Sequence, residues 1–270
     1  SRIYQFCSLL KHLILINSFL VFFIGIILGS FANVCIYRLP LNKGIVAGRS
    51  FCTKCKKKIS WYDNIPLISF LIIKGRCRKC KKKISPNYLI VEILSSLSFL
   101  IIYFLYGATT TTLFLIILCL CFIIIFFIDL KHFIIPNSLT YPLMILGFLK
   151  SFDPNLNSLF PNFINSLIGG LFGYGVIWLI IFFYKIVRNK EGMGLGDAKL
   201  LSVIGFWFGW IAIPFVIFSS SIIALSSVIP SLLKKSKNLS SEIPFGPFII
   251  LGCLVFIVFK NEYQILLFGY

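Results

Sequence analysis

Long uninterrupted apolar runs constrain this chain more than any other feature of it. Phe19–Ile36, Leu94–Leu105, Leu113–Ile128 and Gly175–Tyr184 approach or reach the roughly 20 residues a helix needs to cross a bilayer. In hydrocarbon each backbone N–H and C=O must be satisfied internally, so runs of this kind fold as helices. The mean hydropathy of +0.97 and the hydrophobic fraction of 59% lie far above soluble globular composition. No A-x-A-like cleavage site follows the first run, and further apolar runs do, so it reads as a span rather than a removable leader.

Read in this way, the chain predicts spans at about 13–37, 87–106, 111–129, 134–150, 163–187, 198–210, 211–230 and 244–267. The expected fold is therefore an all-α membrane protein, a polytopic bundle of about eight transmembrane helices. Gly205, Gly209 and Pro214 interrupt the sixth and seventh spans, which read either as two crossings or as one re-entrant feature. No internal repeat and no low-complexity linker is expected. Thr109–Thr112 reads as a polar turn and Asp153–Asn157 as an external loop.

Charge sets the orientation. The chain carries 26 Lys+Arg against 8 Asp+Glu, and 14 of the basic residues lie between Arg38 and Lys83. If 38–86 faces the cytoplasm, only Arg2, Lys11, Lys150 and Lys260 fall outside, which is the asymmetry of the positive-inside rule. This distribution accounts for the net charge of +18 through the lipid bilayer and predicts no nucleic-acid partner. Both termini are expected outside, with three regions in series: a first helix over 1–37, a cytoplasmic segment over 38–86 and a membrane core over 87–270.

The basic segment holds Cys52-Thr-Lys-Cys55 and Cys77-Arg-Lys-Cys80. Two C-x2-C pairs can place four thiolates at the corners of a tetrahedron, the geometry of a structural zinc ion. A redox or disulfide pair is the alternative, and a reducing cytoplasm disfavours it. Cys7, Cys35, Cys119, Cys121 and Cys253 sit in or beside apolar runs, where cysteine is a small hydrophobe.

Three of the acids are out of place. Glu92, Asp129 and Asp197 lie within or at the edge of apolar runs, where a carboxylate is costly and calls for a function. Asp129 ends the third span and Asp197 opens the sixth, so the topology puts both at the cytoplasmic face. Two facing carboxylates are the minimal apparatus of aspartic proteolysis, one activating water while the other protonates the carbonyl or leaving nitrogen. Gly194 and Gly196, just before Asp197, permit close backbone approach to a substrate. A proton relay in a transporter, or a structural pairing of Asp129 with Lys131 or Lys199, uses the same residues. With only His12 and His132 present, H-E-x-x-H zinc chemistry is excluded, and no G-x-S-x-G elbow occurs.

Longer strings agree. Glu191-Gly-Met-Gly-Leu-Gly-Asp197-Ala-Lys199 resembles the GxGD motif of the type IV prepilin peptidases, and Asp129 with Ile135-Pro136-Asn137 resembles their first aspartate motif. Gly29 to Pro40, Cys52 to Glu92 with Asp63-Asn-Ile-Pro66, and Pro244-Phe-Gly-Pro247 resemble further family signatures, in family order. Asn137 stands where many members carry Asp. The resemblance implies a bifunctional enzyme of the bacterial inner membrane, with its active site at the cytoplasmic face. It would cleave the basic leader of type IV prepilins or pseudopilins and methylate the new N-terminus with S-adenosylmethionine. Asp129 and Asp197 match the catalytic aspartates, and the four-cysteine region with Glu92 matches the part carried by methylating members, making Glu92 a candidate in methyl transfer. No feature of the sequence itself outlines a donor pocket. The rival readings are a proton-coupled transporter with a zinc knuckle and a non-enzymatic scaffold for secretion machinery.

Overall fold

The computed structural model describes residues 2–45, 50–52, 54–156, 159–188, 194–233 and 243–268. Of the residues in the motifs and turns above, Thr53, Asn157 and Glu191–Met193 lie outside these, as do the basic residues Arg49, Lys190, Lys234, Lys235 and Lys237 and the acidic Glu242. The described residues form ten helices and no strand, in two compact units, 1–124 and 125–270.

The first unit begins with α1 (Arg2–Arg38), continues through the cysteine segment with its short α2 (Ile68–Ile72), and returns as α3 (Asn87–Tyr106). Lipid supplies no hydrophobic drive between two apolar helices, so small residues must let the backbones approach. Gly25 and Gly29 of α1 do so: a Cβ on Gly25 would lie 2.5 Å from Cα of Ser96. Ser95 Oγ donates to the Gly25 carbonyl at 2.8 Å, and Asn33 Nδ2 to the Tyr88 carbonyl at 2.9 Å. Arg38 closes α1 by donating to the Gly44 and Ile45 carbonyls beyond its C-terminus.

A polar turn starts α4 (Thr110–His132), as expected: Thr109 Oγ1 accepts the Thr112 N–H at 3.3 Å in an N-cap bond. Its far end belongs to the second unit. There Phe133 adopts φ 55° and its N–H bonds the Asp129 carbonyl at 3.0 Å, a left-handed stop that turns the chain sharply. Ile134, Ile135 and Pro136 then lead into α5 (Asn137–Leu149).

The rest of the second unit comprises α6 (Phe163–Arg188), α7 (Leu195–Phe208), α8 (Ala212–Leu233), α9 (Gly246–Val258) and α10 (Lys260–Phe268). α7 is its core, with Ala198, Leu200, Leu201, Val203 and Ile204 wholly buried. Gly169 and Gly173 of α6 meet α7 in a small-xxx-small face, and Gly205 lies against the Gly169 carbonyl with no room for a Cβ. Ser202 Oγ donates to the Gly170 carbonyl at 2.8 Å, and Ser166 Oγ to the Phe206 carbonyl at 2.7 Å. On the other side, Trp207 Nε1 donates to the Leu143 carbonyl of α5 at 2.8 Å. Buried Lys150 donates to the Trp207 carbonyl at 3.0 Å and stands 3.8 Å from the Phe160 ring centroid. A cation there suits the negative end of α7.

Among the described residues five helices are long and apolar enough to cross a membrane: Leu15–Leu41 (all but its last three residues in α1), α3, α4, α6 and the Ala212–Ile229 part of α8. A sixth span arises if α9 and α10 count as one, and they are bent by 74° at Phe259. The expected spans at 134–150 and 198–210 are instead helices of 13 and 14 residues. Pro136 and the left-handed Phe133 delay the start of α5, and Gly209 at φ 84° ends α7. The sixth and seventh segments are two separate helices, broken between Phe208 and Ala212.

Candidate active site and metal centre

Asp129 comes from the last turn of α4 and Asp197 from the first turn of α7. Both are buried, at 4% and 8% exposure, in the second unit, and Gly196 beside Asp197 and Gly246 beside Asp129 both face Ile135. The Gly246 N–H, at the start of α9, donates to Asp129 Oδ2 at 3.1 Å and aims one carboxylate oxygen. The Asp197 N–H bonds the Gly194 carbonyl at 3.2 Å, and the opening turn of a helix is where its dipole favours a carboxylate.

Ile135 packs this corner. A Cβ on Gly196 would meet Ile135 Cβ at 3.1 Å, while one on Gly246 would meet Asp129 Oδ2 at 2.6 Å and Ile135 Cδ1 at 3.1 Å. The glycines thus make room for a side chain and a carboxylate of the chain itself, which explains Gly196 by packing. Gly194 is the N-cap of α7 in extended conformation and is exposed. Charge-based reasoning does not find Gly246, because its contribution is a backbone donor; the Pro244–Pro247 string is the only sign of it.

Chemically, the pair is two buried carboxylates, one of which accepts a backbone amide. Such an arrangement can hold a shared proton and polarise a water.

In the first unit the four cysteines converge. The Sγ atoms of Cys52, Cys55, Cys77 and Cys80 all lie within 4.8 Å of one another, with Cys52 and Cys80 at 3.9 Å. The edge of a tetrahedron with Zn–S bonds of about 2.3 Å is about 3.8 Å, so the cluster fits such an ion. The two halves are copies at an offset of 25 residues, correcting the expectation of no internal repeat: Cys52-Thr-Lys-Cys-Lys-Lys-Lys-Ile-Ser60 returns as Cys77-Arg-Lys-Cys-Lys-Lys-Lys-Ile-Ser85. The Lys56 N–H bonds Cys52 O, and the Lys81 N–H bonds Cys77 O, both at 2.8 Å. Lys56 and Lys81 are both left-handed, and bridges Phe51 to Lys58 and Arg76 to Lys83 close the two loops.

Burial raises the Cys52 thiol, but the Cys55 and Lys54 backbone N–H donors and neighbouring thiols outweigh it and bring it down to about 7. The Lys82 N–H lowers Cys80, yet burial and the other three thiols push it up to about 11. An ion pair, Arg78 Nε to Asp63 Oδ1 at 2.6 Å, ties the second half to the turn at 61–64.

Glu92 is not among the cysteine ligands. It is buried in α3 beside Gly29, and its Oε2 accepts the Leu67 N–H at 2.8 Å. Leu67 has φ 58° and ψ −56°, with the Ile68 N–H bonded to the Pro66 carbonyl in a tight γ-turn. The carboxylate therefore anchors a strained turn of the cysteine segment to the α1–α3 pair.

Residues 23–106 match the bacterial peptidase A24 N-terminal domain, and residues 116–229 match the type IV leader peptidase family. A prepilin leader peptidase/N-methyltransferase of Aeromonas hydrophila is 34% identical, the match covering 86% of this chain and 87% of that protein. Proteins of the same name from Dichelobacter nodosus and Pseudomonas aeruginosa are 32% and 30% identical, over 93% and 88% of this chain and 95% and 89% of their own. No solved structure matches. The chain belongs to the type IV leader peptidase family. As a member of it, this multi-helix membrane protein is a peptidase and methyltransferase.

Proposed function

We propose that the protein cleaves the leader of type IV prepilins or pseudopilins by two-aspartate catalysis, and methylates the N-terminus so exposed. What supports the first half is the burial of Asp129 and Asp197 on either side of Ile135, with the Gly246 N–H on Asp129. In this reading the two carboxylates hold one proton between them. The ionised member takes a proton from water as the water attacks the scissile carbonyl, and the protonated member donates to the carbonyl oxygen. The proton then passes to the leaving nitrogen as the tetrahedral intermediate collapses. The Gly246 amide favours charge on Asp129 and so assigns Asp197 as the initial proton carrier.

The basic segment, the dyad and the anionic lipid surface share the cytoplasmic face in this reading, on the strength of the basic asymmetry. Cys52, Cys55, Cys77 and Cys80 would hold a structural zinc ion, which when bound orders the segment; a closed set of four thiolates has no open position for chemistry. Methyl transfer from S-adenosylmethionine rests on the family, and nothing in the geometry distinguishes the donor's residues. The test is mass spectrometry of a prepilin incubated with pure protein, with and without S-adenosylmethionine, alongside Asp129→Asn and Asp197→Asn. Cleavage in the wild type and none in either variant supports the reading; cleavage by either variant would return the pair to the proton-relay alternative.

A further inference from the structure

The ends of α4 and α7 that carry the aspartates are joined by a contact outside the dyad. Lys199, two residues after Asp197, donates from Nζ to Asn137 Oδ1 at 2.8 Å. Asn137 is the first residue of α5, on the chain that leaves Asp129 through Phe133 and Ile135. The same ammonium stands 5.3 Å from the ring centroid of Tyr141, one turn further along α5. Residues four apart share a helix face, so Lys199 lies along α5 with both ends of that turn engaged.

At the aspartate end the tie adds a polar contact beside the packing of Ile135 on Gly196. Toward the far end, α5 and α7 are locked by Trp207 against Leu143 and Gly147. A cavity of about 300 Å³, lined from α5, α6 and α7, runs between Lys199 and Phe206 and includes Tyr141, Tyr174 and Ser202. At this level, among the described residues, the Lys199–Asn137 bond is a polar contact that crosses from one helix to the other.

We infer that Asn137 and Lys199 are a positioning pair, which fixes the distance between the Asp129 end of α4 and the Asp197 turn of α7 for peptide cleavage. The inference rests on the dyad reading above. Neither residue touches the carboxylates in a hydrogen bond; they act by holding the chain on which those carboxylates sit. A displacement of about 1 Å at reacting groups can cost up to about a hundredfold in rate, so an exposed bond of small intrinsic strength suffices for this role.

The experiment measures cleavage of a leader-bearing prepilin by the full-length protein in detergent, for Asn137→Leu, Lys199→Met, the double variant, Asn137→Asp and Asp129→Asn. The expected result is a fall in kcat of about tenfold or more for each single variant, with KM and the unfolding temperature little changed. The double variant should equal the singles, and Asn137→Asp should restore the rate, because its carboxylate accepts from the same ammonium. Single variants within twofold of the wild type, losses that multiply in the double, a loss confined to KM, or an Asn137→Asp as slow as Asn137→Leu would each overturn the pair while Asp129→Asn stays inactive. Cleavage by Asp129→Asn would instead remove the dyad on which the pair depends. Lys199→Arg gives the same test should Lys199→Met fail to fold: retention of the rate supports the tie, and a tenfold loss with the fold intact overturns it.

Discussion

The Gly246 amide points at Asp129 Oδ2 from 3.1 Å, and the α-carbon that carries it has no space for a side chain. The donor and the missing Cβ are one requirement, since an alanine there would force the carboxylate off the amide. Gly246→Ala should therefore lower kcat for leader cleavage by about ten- to a hundredfold, with substrate affinity preserved. Steady-state kinetics on a synthetic leader peptide check this; an unchanged kcat would remove the amide from the mechanism.

Asp129 and Asp197 should behave as one unit. Asp129→Asn and Asp197→Asn keep the volume of each side chain and are expected to fold, bind substrate and fail to cleave. If the carboxylates share one proton, the double variant loses no more than either single one, because the first loss already disables the pair. The pH–rate profile of the wild type should be bell-shaped, with two macroscopic values belonging to the pair. Both asparagine variants should still methylate a prepilin supplied already cleaved.

The cysteine cluster makes a prediction with a definite sign. Protons compete with a metal for thiolates, and Cys52, held down to about 7, ionises before Cys80, pushed up to about 11, as pH rises. Metal affinity should thus weaken as pH falls through about 7, and each metal bound should release protons, measurable by calorimetry in buffers of different ionisation enthalpy. Removing the ion with a chelator, or Cys77→Ser, should disorder the segment and impair methylation more than cleavage. Absence of zinc by elemental analysis, with all four thiols alkylated at the free-thiol rate, would contradict this.

A single methyl group matters at the α6–α7 contact as well. Gly205 lies on the Gly169 carbonyl, so Gly205→Ala should destabilise the second unit by roughly 1–3 kcal/mol through overpacking. Gly175, around which a Cβ meets nothing within 4 Å, should accept alanine at no cost. Thermal unfolding in detergent compares the two directly.

What sequence can show here follows from what the membrane penalises. Helices α1, α3, α4, α6 and α8 were legible because each is a long apolar run, and α4 ends within a few residues of its expected boundary. α5 and α7 were overestimated, since hydropathy does not register Phe133 going left-handed or Gly209 at φ 84°. The last span looked continuous because Lys260 is a single charge, yet the chain bends there and Lys260 Nζ bonds the Leu159 carbonyl at 2.7 Å. Asp129 and Asp197 were visible for the same reason as the long helices, a carboxylate beside apolar sequence being expensive. Gly246 and Asn137 contribute a backbone N–H and one exposed amide, and neither violates any rule that a scan would notice. The knuckle repeat is plain in the letters, but it is two copies of nine residues at an offset of 25, fewer than the three or more units of a repeat architecture.

The two helices that frame the dyad are short, and this bears on hydration. At about 1.5 Å per residue, α5 and α7 rise only about 20 Å, against a hydrocarbon core about 30 Å thick. Neither can place polar groups at both bilayer surfaces: Asn137 and Lys150 bound α5, and Asp197 and the capped Trp207 carbonyl bound α7. Hydrophobic mismatch of this size is relieved by thinning the bilayer or by letting the aqueous phase dip along the protein. Either response brings the headgroup boundary down to the α7 N-terminus. On the proposed reading, the water that each cleaved peptide bond consumes would then be at hand at the depth of Asp197, at the α7 N-terminus.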